Sequence, residues 1–218
     1  NITCLNQHFA SGYYDDKSVI LEGPNGCKLV SAKAIIICTG AYEQPAVFRN
    51  NDLPGIVLGS AVARLAHRYS IDPFERSVAM VANDIGFKRL LKLKATGVNI
   101  NCILQLPSFE ASETQRKHAE SMGIEVVSNV IPSEAKGKDG CLTSFVYRTV
   151  NDPSPKEITC DGLIMSVGWS PASNLLVQAG GKLKYIEKIN QLVPNELPSG
   201  IFAAGTVRGV YDLTNRLE

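Results

Sequence analysis

The sequence predicts an α/β fold in which one parallel-sheet domain is inserted into a second, incomplete α/β domain. Strand and helix patterns alternate between Ser77 and Val130, as expected of consecutive parallel β-α units. Three more apolar strands end in glycine, at Thr39-Gly40, Val167-Gly168 and Gly205-Thr206, and they bracket the alternating segment. Ligands of parallel sheets bind at the carboxyl ends of the strands, where glycine lets a ligand approach the backbone closely.

The first elements follow from turn residues and apolar runs. Gly23-Pro24-Asn25-Gly26 separates the apolar stretches 19–21 and 28–30, which predicts a β-hairpin. The continuous apolar run Ala34–Cys38 predicts a strand buried on both faces of a parallel sheet. Apolar residues then recur on one helical face, which predicts a helix over 58–69.

The remaining elements are predicted in the same way. Ser112 and Gln115 have the spacing of a capping box, which predicts that a helix begins there and runs to Gly123. A turn-rich connection at 151–155 joins two strands of a β-meander. The other predictions are strands at 77–82, 98–104, 124–130, 141–149, 157–166 and 201–205, helices at 85–96 and 173–179, and a helix that begins within 207–217.

Composition excludes several classes of protein. The 218 residues are 44% hydrophobic and 20% charged, with a formal net charge of +1, so we expect a globular protein that binds no nucleic acid. No apolar run reaches membrane-spanning length and no signal peptide opens the chain, which predicts a cytoplasmic protein without membrane contact. The six cysteines include no C-x-x-C pair, which argues against disulfide-exchange chemistry. No paired carboxylates, Ser-His-Asp set or metal cluster is evident, so we predict neither a catalytic side chain nor a metal site.

Three motifs carry a family resemblance. Cys38–Pro45 (C-T-G-A-Y-E-Q-P) resembles the A-T-G-A-x-x-x-P element of the pyridine-nucleotide-disulfide-reductase-like flavoproteins. Asp161–Pro171 is similar to their D-x-h-h-x-x-x-G-x-x-P segment, and Gly200–Thr206 is similar to their G-h-F-A-A-G-D segment. The resemblance implies the two-dinucleotide-binding-domain flavoprotein fold. Residues 1–72 and 160–218 would form a partial FAD/NAD-binding-like first domain, and residues 73–159 an inserted NAD(P)-binding-like second domain.

A narrower resemblance concerns the alpha subunit of heterotetrameric sarcosine oxidase and the related alpha subunits of dye-linked proline, opine and cyanide-forming dehydrogenases. It rests on Phe48–Leu58, Gly168–Pro171 and Gly180–Leu183. It implies an oxidoreductase subunit that holds NAD and/or FAD and scaffolds a beta-type catalytic subunit carrying flavin. It also implies that this chain is a piece that starts after the first glycine-rich fingerprint, so that the isolated piece binds no cofactor and is inactive.

The resemblance also implies which residues meet a cofactor in the first domain. Thr39 and Gly40 would line the nucleotide, together with Gly168 at the end of another strand. Gly205 and Thr206 would lie beside its pyrophosphate or ribityl portion. Thr206 stands where the family has an aspartate, and a neutral hydroxyl accepts a hydrogen bond from a ribityl hydroxyl more weakly than a carboxylate does, which favours NAD over a flavin.

The second domain departs further from the family pattern. A G-x-G-x-x-G fingerprint is expected after Val81, but the chain has Ala82–Phe87 (A-N-D-I-G-F), so that Asn83 and Gly86 are the candidate cofactor residues there. Asp84 would cap the following helix and repel a pyrophosphate, and Gln105 replaces the ribose-binding acid. We therefore predict that the second site is degenerate.

Two other functions remain open on the sequence alone. A self-contained NAD(P)H-dependent flavoprotein oxidoreductase would need both fingerprints intact. A non-catalytic interaction module with a degenerate nucleotide fold would bind no nucleotide at all.

Overall fold

A computed structural model describes residues 2–14 and 17–211. Four helices and many short strands make up these residues. In chain order they are β1 (Phe9–Tyr14), β2 (Ser18–Gly23), β3 (Gly26–Ser31), β4 (Ile35–Ile37), β5 (Ala41–Gln44), β6 (Ile56–Leu58), α1 (Gly59–Tyr69), β7 (Ser77–Val81), α2 (Asp84–Ala95), β8 (Ile100–Gln105), α3 (Glu113–Ser121), β9 (Glu125–Val127), β10 (Val130–Lys138), β11 (Cys141–Thr149), β12 (Asp152–Thr159), β13 (Gly162–Ser166), β14 (Gly168–Pro171), α4 (Asn174–Gln178), β15 (Lys182–Ile186), β16 (Gln191–Glu196) and β17 (Ile201–Ala203).

The chain divides into two compact units, which are described separately below. Unit 1 consists of Asn1–Tyr42 and Trp169–Glu218, and unit 2 is the continuous segment Glu43–Gly168. An α/β segment is thus inserted into a second α/β unit. The inserted segment spans Glu43–Gly168, whereas the predicted inserted domain spans residues 73–159. The assignment of those domains to particular nucleotides stays a prediction.

Among the described residues, three small sheets lie wholly within unit 1. β1, β2 and β3 form an antiparallel sheet, and the predicted hairpin is confirmed because Gly23 pairs with Gly26 across the turn. β15 and β16 form an antiparallel pair, and β4 and β17 form a parallel pair. A short 3-10 helix follows β17 at Gly205–Arg208, whereas most of the helix predicted within 207–217 lies outside the described residues.

The strand predicted at Ala34–Cys38 exists as β4, but the expectation that both of its faces are buried is wrong. Ile37 packs in a small core with Ile201 and Leu176, whereas Ile36, on the opposite face, is 67% exposed. Among the described residues β17 is the only strand that pairs with β4. A two-stranded sheet covers too little area to bury both faces, so the apolar run alone overstated the burial.

Unit 2 is built on a parallel five-stranded sheet in the order β6-β13-β7-β8-β9. Its central strands are buried on both faces. Ala79 and Val81 face a core that includes residues of α1, α2 and α3, and Val78 and Met80 face a core shared with the antiparallel sheet β10-β11-β12. The period-2 alternation of these neighbours explains why the strands read as continuous apolar runs.

The predicted helices of unit 2 are confirmed, and so is the capping box, in which Ser112 and Gln115 bond reciprocally. Two strand predictions need correction. The strand predicted at 157–166 is in fact the end of β12 followed by β13, and β13 confirms the separate prediction of an apolar strand that leads into Val167-Gly168. β10 replaces the end of the strand predicted at 124–130. The stretch predicted as a turn at 151–155 is mostly β12, where Pro153 and Pro155 are tolerated because β12 is an edge strand.

Candidate functional site

Four of the predicted cofactor residues meet in unit 1, at the carboxyl ends of β4 and β17. The two strands are parallel, with Ile35 opposite Ile201 and Ile37 opposite Ala203, so both chains leave the sheet at the same edge. The segment after β4 is Thr39-Gly40 and the segment after β17 is Gly205-Thr206. A hydrogen bond from the Ala204 amide to the Ile37 carbonyl, 3.1 Å long, extends the pairing to this edge.

The two glycines leave room beside the backbone. Gly40 has φ +80° and Gly205 has φ +78°, left-handed values that other residues rarely adopt. A Cβ atom added to Gly205 would meet nothing within 4 Å, and one added to Gly40 would meet only the hydroxyl oxygen of Thr206, at 3.6 Å. Gly40 and Thr206 therefore flank an open backbone cradle, which fits a ligand that must approach the main chain.

Thr39 is engaged by unit 1 itself. Its hydroxyl donates a hydrogen bond of 2.6 Å to the carbonyl of Ala172, whose own amide donates to the carbonyl of Gly40 at 3.0 Å. The donor of Thr39 is thus occupied, while its oxygen can still accept a hydrogen bond. Thr39 holds the segment 39–40 in place rather than offering a free donor to a ligand.

An apolar cavity of about 450 Å³ lies beside the same strand. It is lined by apolar residues of the β1-β2-β3 sheet, of β4 and of α4, and it reaches Cys38 and Thr39. Gly40, Gly205 and Thr206 are not among its lining residues. The cavity therefore does not provide the polar surroundings of a pyrophosphate, and the candidate cradle is the strand edge alone.

The other three predicted cofactor residues belong to unit 2. Gly168 is the last residue of that unit, and a Cβ atom added there would meet nothing within 4 Å. Asn83 is the N-cap of α2: its side-chain oxygen accepts from the amide of Gly86 at 2.8 Å, and its nitrogen donates to the carbonyl of Val167 at 3.0 Å. The cap of α2 is therefore Asn83, and the expectation that Asp84 caps it is wrong.

Gly86 is required by packing. A Cβ atom at this position would lie 2.3 Å from the carbonyl oxygen of Ser166 and 2.9 Å from a methyl group of Val81. The absence of a side chain lets α2 lie directly on β13, which accounts for the glycine without any ligand. Whether Gly168, Asn83 or Gly86 contacts a cofactor stays a prediction.

One buried carboxylate escaped the sequence reasoning. Glu43 has a fully buried side chain, and its oxygens accept from the hydroxyl of Ser166 at 2.6 Å and from the amide of Ser60 at 2.5 Å. The guanidinium of Arg89 lies 3.4 Å away. Glu43 lies within the A-T-G-A-x-x-x-P motif, but its partners are 17, 46 and 123 positions distant, so no local pattern marked it.

The described residues offer little other chemistry. Within residues 2–14 and 17–211, no three His, Cys, Asp or Glu side chains gather in a group that could hold a metal ion. None of the described helices has both the length and the apolar character needed to cross a membrane. The β4/β17 edge leaves space beside the backbone at Gly40 and Gly205, and binding of a ligand there stays a prediction.

Known proteins match this chain over most of its length. The family model described as pyridine nucleotide-disulphide oxidoreductase matches residues 2–216. The sarcosine oxidase subunit alpha of Corynebacterium sp. (strain P-1) is 27% identical over 215 residues, which are 93% of this chain and 22% of that protein. The sarcosine oxidase subunit alpha of Rhizobium meliloti (strain 1021) is 27% identical over 82% of this chain and 17% of its own length.

Solved structures share the fold. A thioredoxin reductase of T. acidophilum superposes with a TM-score of 0.68 at 19% identity, covering 89% of this chain and 63% of the other. An L-proline dehydrogenase of P. horikoshii superposes with a TM-score of 0.64 at 20% identity, covering 92% of this chain and 36% of the other. The chain therefore spans about a fifth of the length of the curated relatives it matches.

Proposed function

Because the chain belongs to the pyridine nucleotide-disulphide oxidoreductase family, we propose that it is part of an oxidoreductase subunit that holds a dinucleotide and supports a flavin-bearing catalytic subunit. The family membership and the likeness to sarcosine oxidase alpha subunits support the class of protein. The single structural observation that carries the proposal is the open cradle formed by Gly40, Gly205 and Thr206 where two parallel strands end.

The residues at this edge fit a dinucleotide. Gly40 and Gly205 would let its phosphates or ribose approach the backbone, and the hydroxyl of Thr206 would bond a sugar hydroxyl. Thr39 would keep the segment in position through its bond to Ala172. A bound nicotinamide or flavin nucleotide supplies the redox chemistry, so the chain's own residues need only bind and orient it.

Thr206 favours NAD as the occupant. A flavin in this family's first domain would present a ribityl hydroxyl at this position, and a carboxylate accepts such a bond more strongly than a threonine hydroxyl does. NAD has no ribityl chain and therefore does not need a carboxylate acceptor at this position. Substrate oxidation would then take place on a flavin of the partner subunit, and this chain would supply the dinucleotide and the framework.

The proposal is tested on the full-length protein purified from its natural source. Denaturation followed by chromatography and mass spectrometry of the released nucleotides should give one dinucleotide per chain, together with a flavin-bearing partner in the same complex. A complex that contains no nucleotide in this subunit would refute the proposal and favour the non-catalytic module.

Three variants of the full-length protein, one of them a control, localise the site. Thr206→Val, which removes only the hydroxyl, should raise the dissociation constant of the dinucleotide about fivefold, since one hydrogen bond is worth about 1 kcal/mol. Thr143→Val removes an exposed hydroxyl from β11 of unit 2 and should leave the dissociation constant unchanged. Thr206→Asp should strengthen the binding of FAD and weaken that of NAD; stronger binding of NAD would contradict the role given to Thr206.

The isolated 218-residue chain should bind FAD and NAD weakly or not at all. Among its described residues, no glycine-rich loop and helix N-terminus lie beside β4 to receive a pyrophosphate, and the cradle supplies only part of a site. Calorimetric titration checks this, and micromolar affinity for either nucleotide would show the expectation to be wrong.

A further inference from the structure

Helix α2 of unit 2 begins where the family fold implies a second dinucleotide, and a side chain of the unit already takes one amide of its first turn. The first amides of a helix attract anions because they lack partners within the helix. In α2 the side chain of Asn83 takes the amide of Gly86, and it also donates to the carbonyl of Val167, so both polar ends of this side chain are used inside the unit.

Asp84 adds a fixed negative charge to the same turn. One oxygen of its carboxylate accepts from the side-chain amide of Gln115 at 2.6 Å, and the other lies 2.7 Å from the ammonium of Lys88. Gln115 belongs to the first turn of α3, and its oxygen accepts from the amide of Ser112 in the capping box. The side chain of Gln115 therefore joins the starts of α2 and α3 and holds the carboxylate in one place.

A carboxylate in this position competes with a pyrophosphate. The N-terminal end of a helix carries a partial positive charge, and Asp84 already satisfies it from within the chain. A pyrophosphate brought to the same turn would meet a like charge at short range, which raises the free energy of binding. Lys88 offsets this charge only partly, because the side chains of Asp84 and Lys88 are both more than half exposed and their attraction is screened by water.

The position at the end of β8 does not fit a dinucleotide either. Gly86, by contrast, lies against the carbonyl of Ser166, which is the close packing that the last glycine of a dinucleotide fingerprint provides with or without a ligand. At the end of β8, Gln105 is fully buried and its side-chain oxygen accepts from the hydroxyl of Ser128 at 3.2 Å. Gln105 therefore presents no accessible acceptor to a ribose hydroxyl.

We propose that unit 2 excludes dinucleotides, and that the carboxylate of Asp84, positioned by Gln115, is the group that excludes the pyrophosphate. The family's second nucleotide site has become an internal contact between two helices, and the full-length subunit carries at most the one dinucleotide of unit 1. The proposal deepens the proposed function, because it removes the second site that a self-contained NAD(P)H-dependent flavin reductase requires.

ADP-ribose titrations of the 218-residue chain, followed by amide NMR, test the proposal. This ligand contains the pyrophosphate and the adenosine but undergoes no redox reaction, so the readout is independent of activity. In the unaltered chain, the amides of Ile85, Gly86 and Phe87 should not shift at millimolar ADP-ribose. In Asp84→Gly, which removes the carboxylate, the same amides should shift, with an apparent dissociation constant at least about tenfold lower.

Two further variants make the test specific. Asp84→Asn keeps the size of the side chain and its bond to Gln115, and it should also gain binding, which covers the case in which Asp84→Gly does not fold. Asp139→Asn removes one negative charge from an exposed turn of the same unit, at a left-handed position that asparagine tolerates, and should behave like the unaltered chain.

The outcomes separate this proposal from the proposed function. The exclusion would be wrong if ADP-ribose shifted the amide signals of Gly86 and its neighbours in the unaltered chain as much as in the variants. It would also be wrong if both Asp84 variants folded and neither showed a shift. A full-length protein without any dinucleotide would refute the proposed function and leave the exclusion at Asp84 standing. If the full-length protein carried a second dinucleotide that no substitution at Thr206 displaced, the exclusion at Asp84 would be wrong and the proposed function would still stand.

Discussion

The carboxylate of Glu43 accepts a hydrogen bond of 2.6 Å from the hydroxyl of Ser166, although 123 positions separate the two residues. Glu43 is the first residue of unit 2 and Ser166 lies two residues before its last, so the bond joins the beginning and the end of the inserted segment. The same carboxylate accepts from the amide of Ser60 in the first turn of α1 and lies 3.4 Å from the guanidinium of Arg89 on α2. One buried charge thus links both ends of the segment to two of its helices.

Glu43→Ala should lower the free energy of unfolding by about 2–3 kcal/mol, because it leaves the buried hydroxyl of Ser166 and the partly buried amide of Ser60 without their acceptor. It also removes the partly exposed ion pair with Arg89, which adds little. Glu43→Gln keeps the volume and one acceptor, and should cost less. Urea unfolding followed by circular dichroism measures both. Glu113→Ala, which removes an exposed carboxylate paired with Lys117, is the control and should change little. If Glu43→Ala unfolded like the control, the linking role would be wrong.

Gly86→Ala should destabilise the protein, by about 1–3 kcal/mol or more, although alanine is ordinarily the better helix former by up to about 1 kcal/mol. The added methyl would overlap the carbonyl of Ser166, which lies 2.3 Å away in backbone that cannot easily move. Gly168→Ala is the control, since nothing lies within 4 Å of its Cβ position and its φ is not left-handed. Thermal unfolding compares the two, and a stabilised Gly86→Ala variant would contradict the close packing.

Gln105→Met should raise the free energy of unfolding by about 1 kcal/mol. Gln105 is fully buried and its side-chain nitrogen has no hydrogen-bond partner among the described residues. A buried donor without a partner costs about 1–3 kcal/mol. Methionine fills a similar volume and has no such donor, although the variant also loses the hydrogen bond from Ser128. Gln191→Met is the matched control: the amide oxygen of Gln191 accepts from the hydroxyl of Tyr211 at 2.8 Å, so this variant should be destabilised. If both variants lost a similar amount of unfolding free energy, the side-chain nitrogen of Gln105 would have a hydrogen-bond partner after all.

Two buried thiols should make the protein less stable at high pH. Burial raises the pKa of Cys102 to about 12, with smaller contributions from Glu125 and Cys160, and burial also raises the pKa of Cys160 to about 12. Well below the ordinary thiol pKa of 9.0, both groups are protonated in the folded and the unfolded chain. Between pH 9 and about 12 the unfolded chain loses these protons first, so stability falls by up to about 1.4 kcal/mol per pH unit for each thiol.

The double variant Cys102→Ala/Cys160→Ala isolates this contribution. Its stability should fall less steeply than that of the unaltered chain between pH 9 and 11, whereas Cys141→Ala, which removes an exposed thiol, should not change the slope. Thiol labelling gives an independent check: Cys4, Cys27, Cys38 and Cys141 are exposed and should react in the folded protein, and Cys102 and Cys160 should not. Labelling of all six thiols under native conditions would contradict the burial.

Much of the fold could be predicted from local patterns. The hairpin around Gly23 and Gly26, the helix over 59–69, the capping box at Ser112 and the parallel strands of unit 2 all follow from periodicity and turn residues. The predictions were wrong where the structure of an element depends on the neighbouring strands in its sheet. β12 accommodates Pro153 and Pro155 because one of its edges is free, and Ile36 is exposed because its sheet has only two strands among the described residues.

The candidate site divides in the same way. The sequence by itself determined the family and the positions of Thr39, Gly40, Gly205 and Thr206 at the ends of apolar strands, because strand-end glycines form short contiguous motifs. Only the tertiary structure decided that Gly40 and Thr206 flank one cradle, that Gly86 is needed for packing, and that Glu43 and Asp84 are held by distant partners. The physical reason is that a hydrogen bond or a steric contact depends on distance in space. Ser166 and Gln115 come within reach of those carboxylates only after the parallel sheet and its helices have assembled.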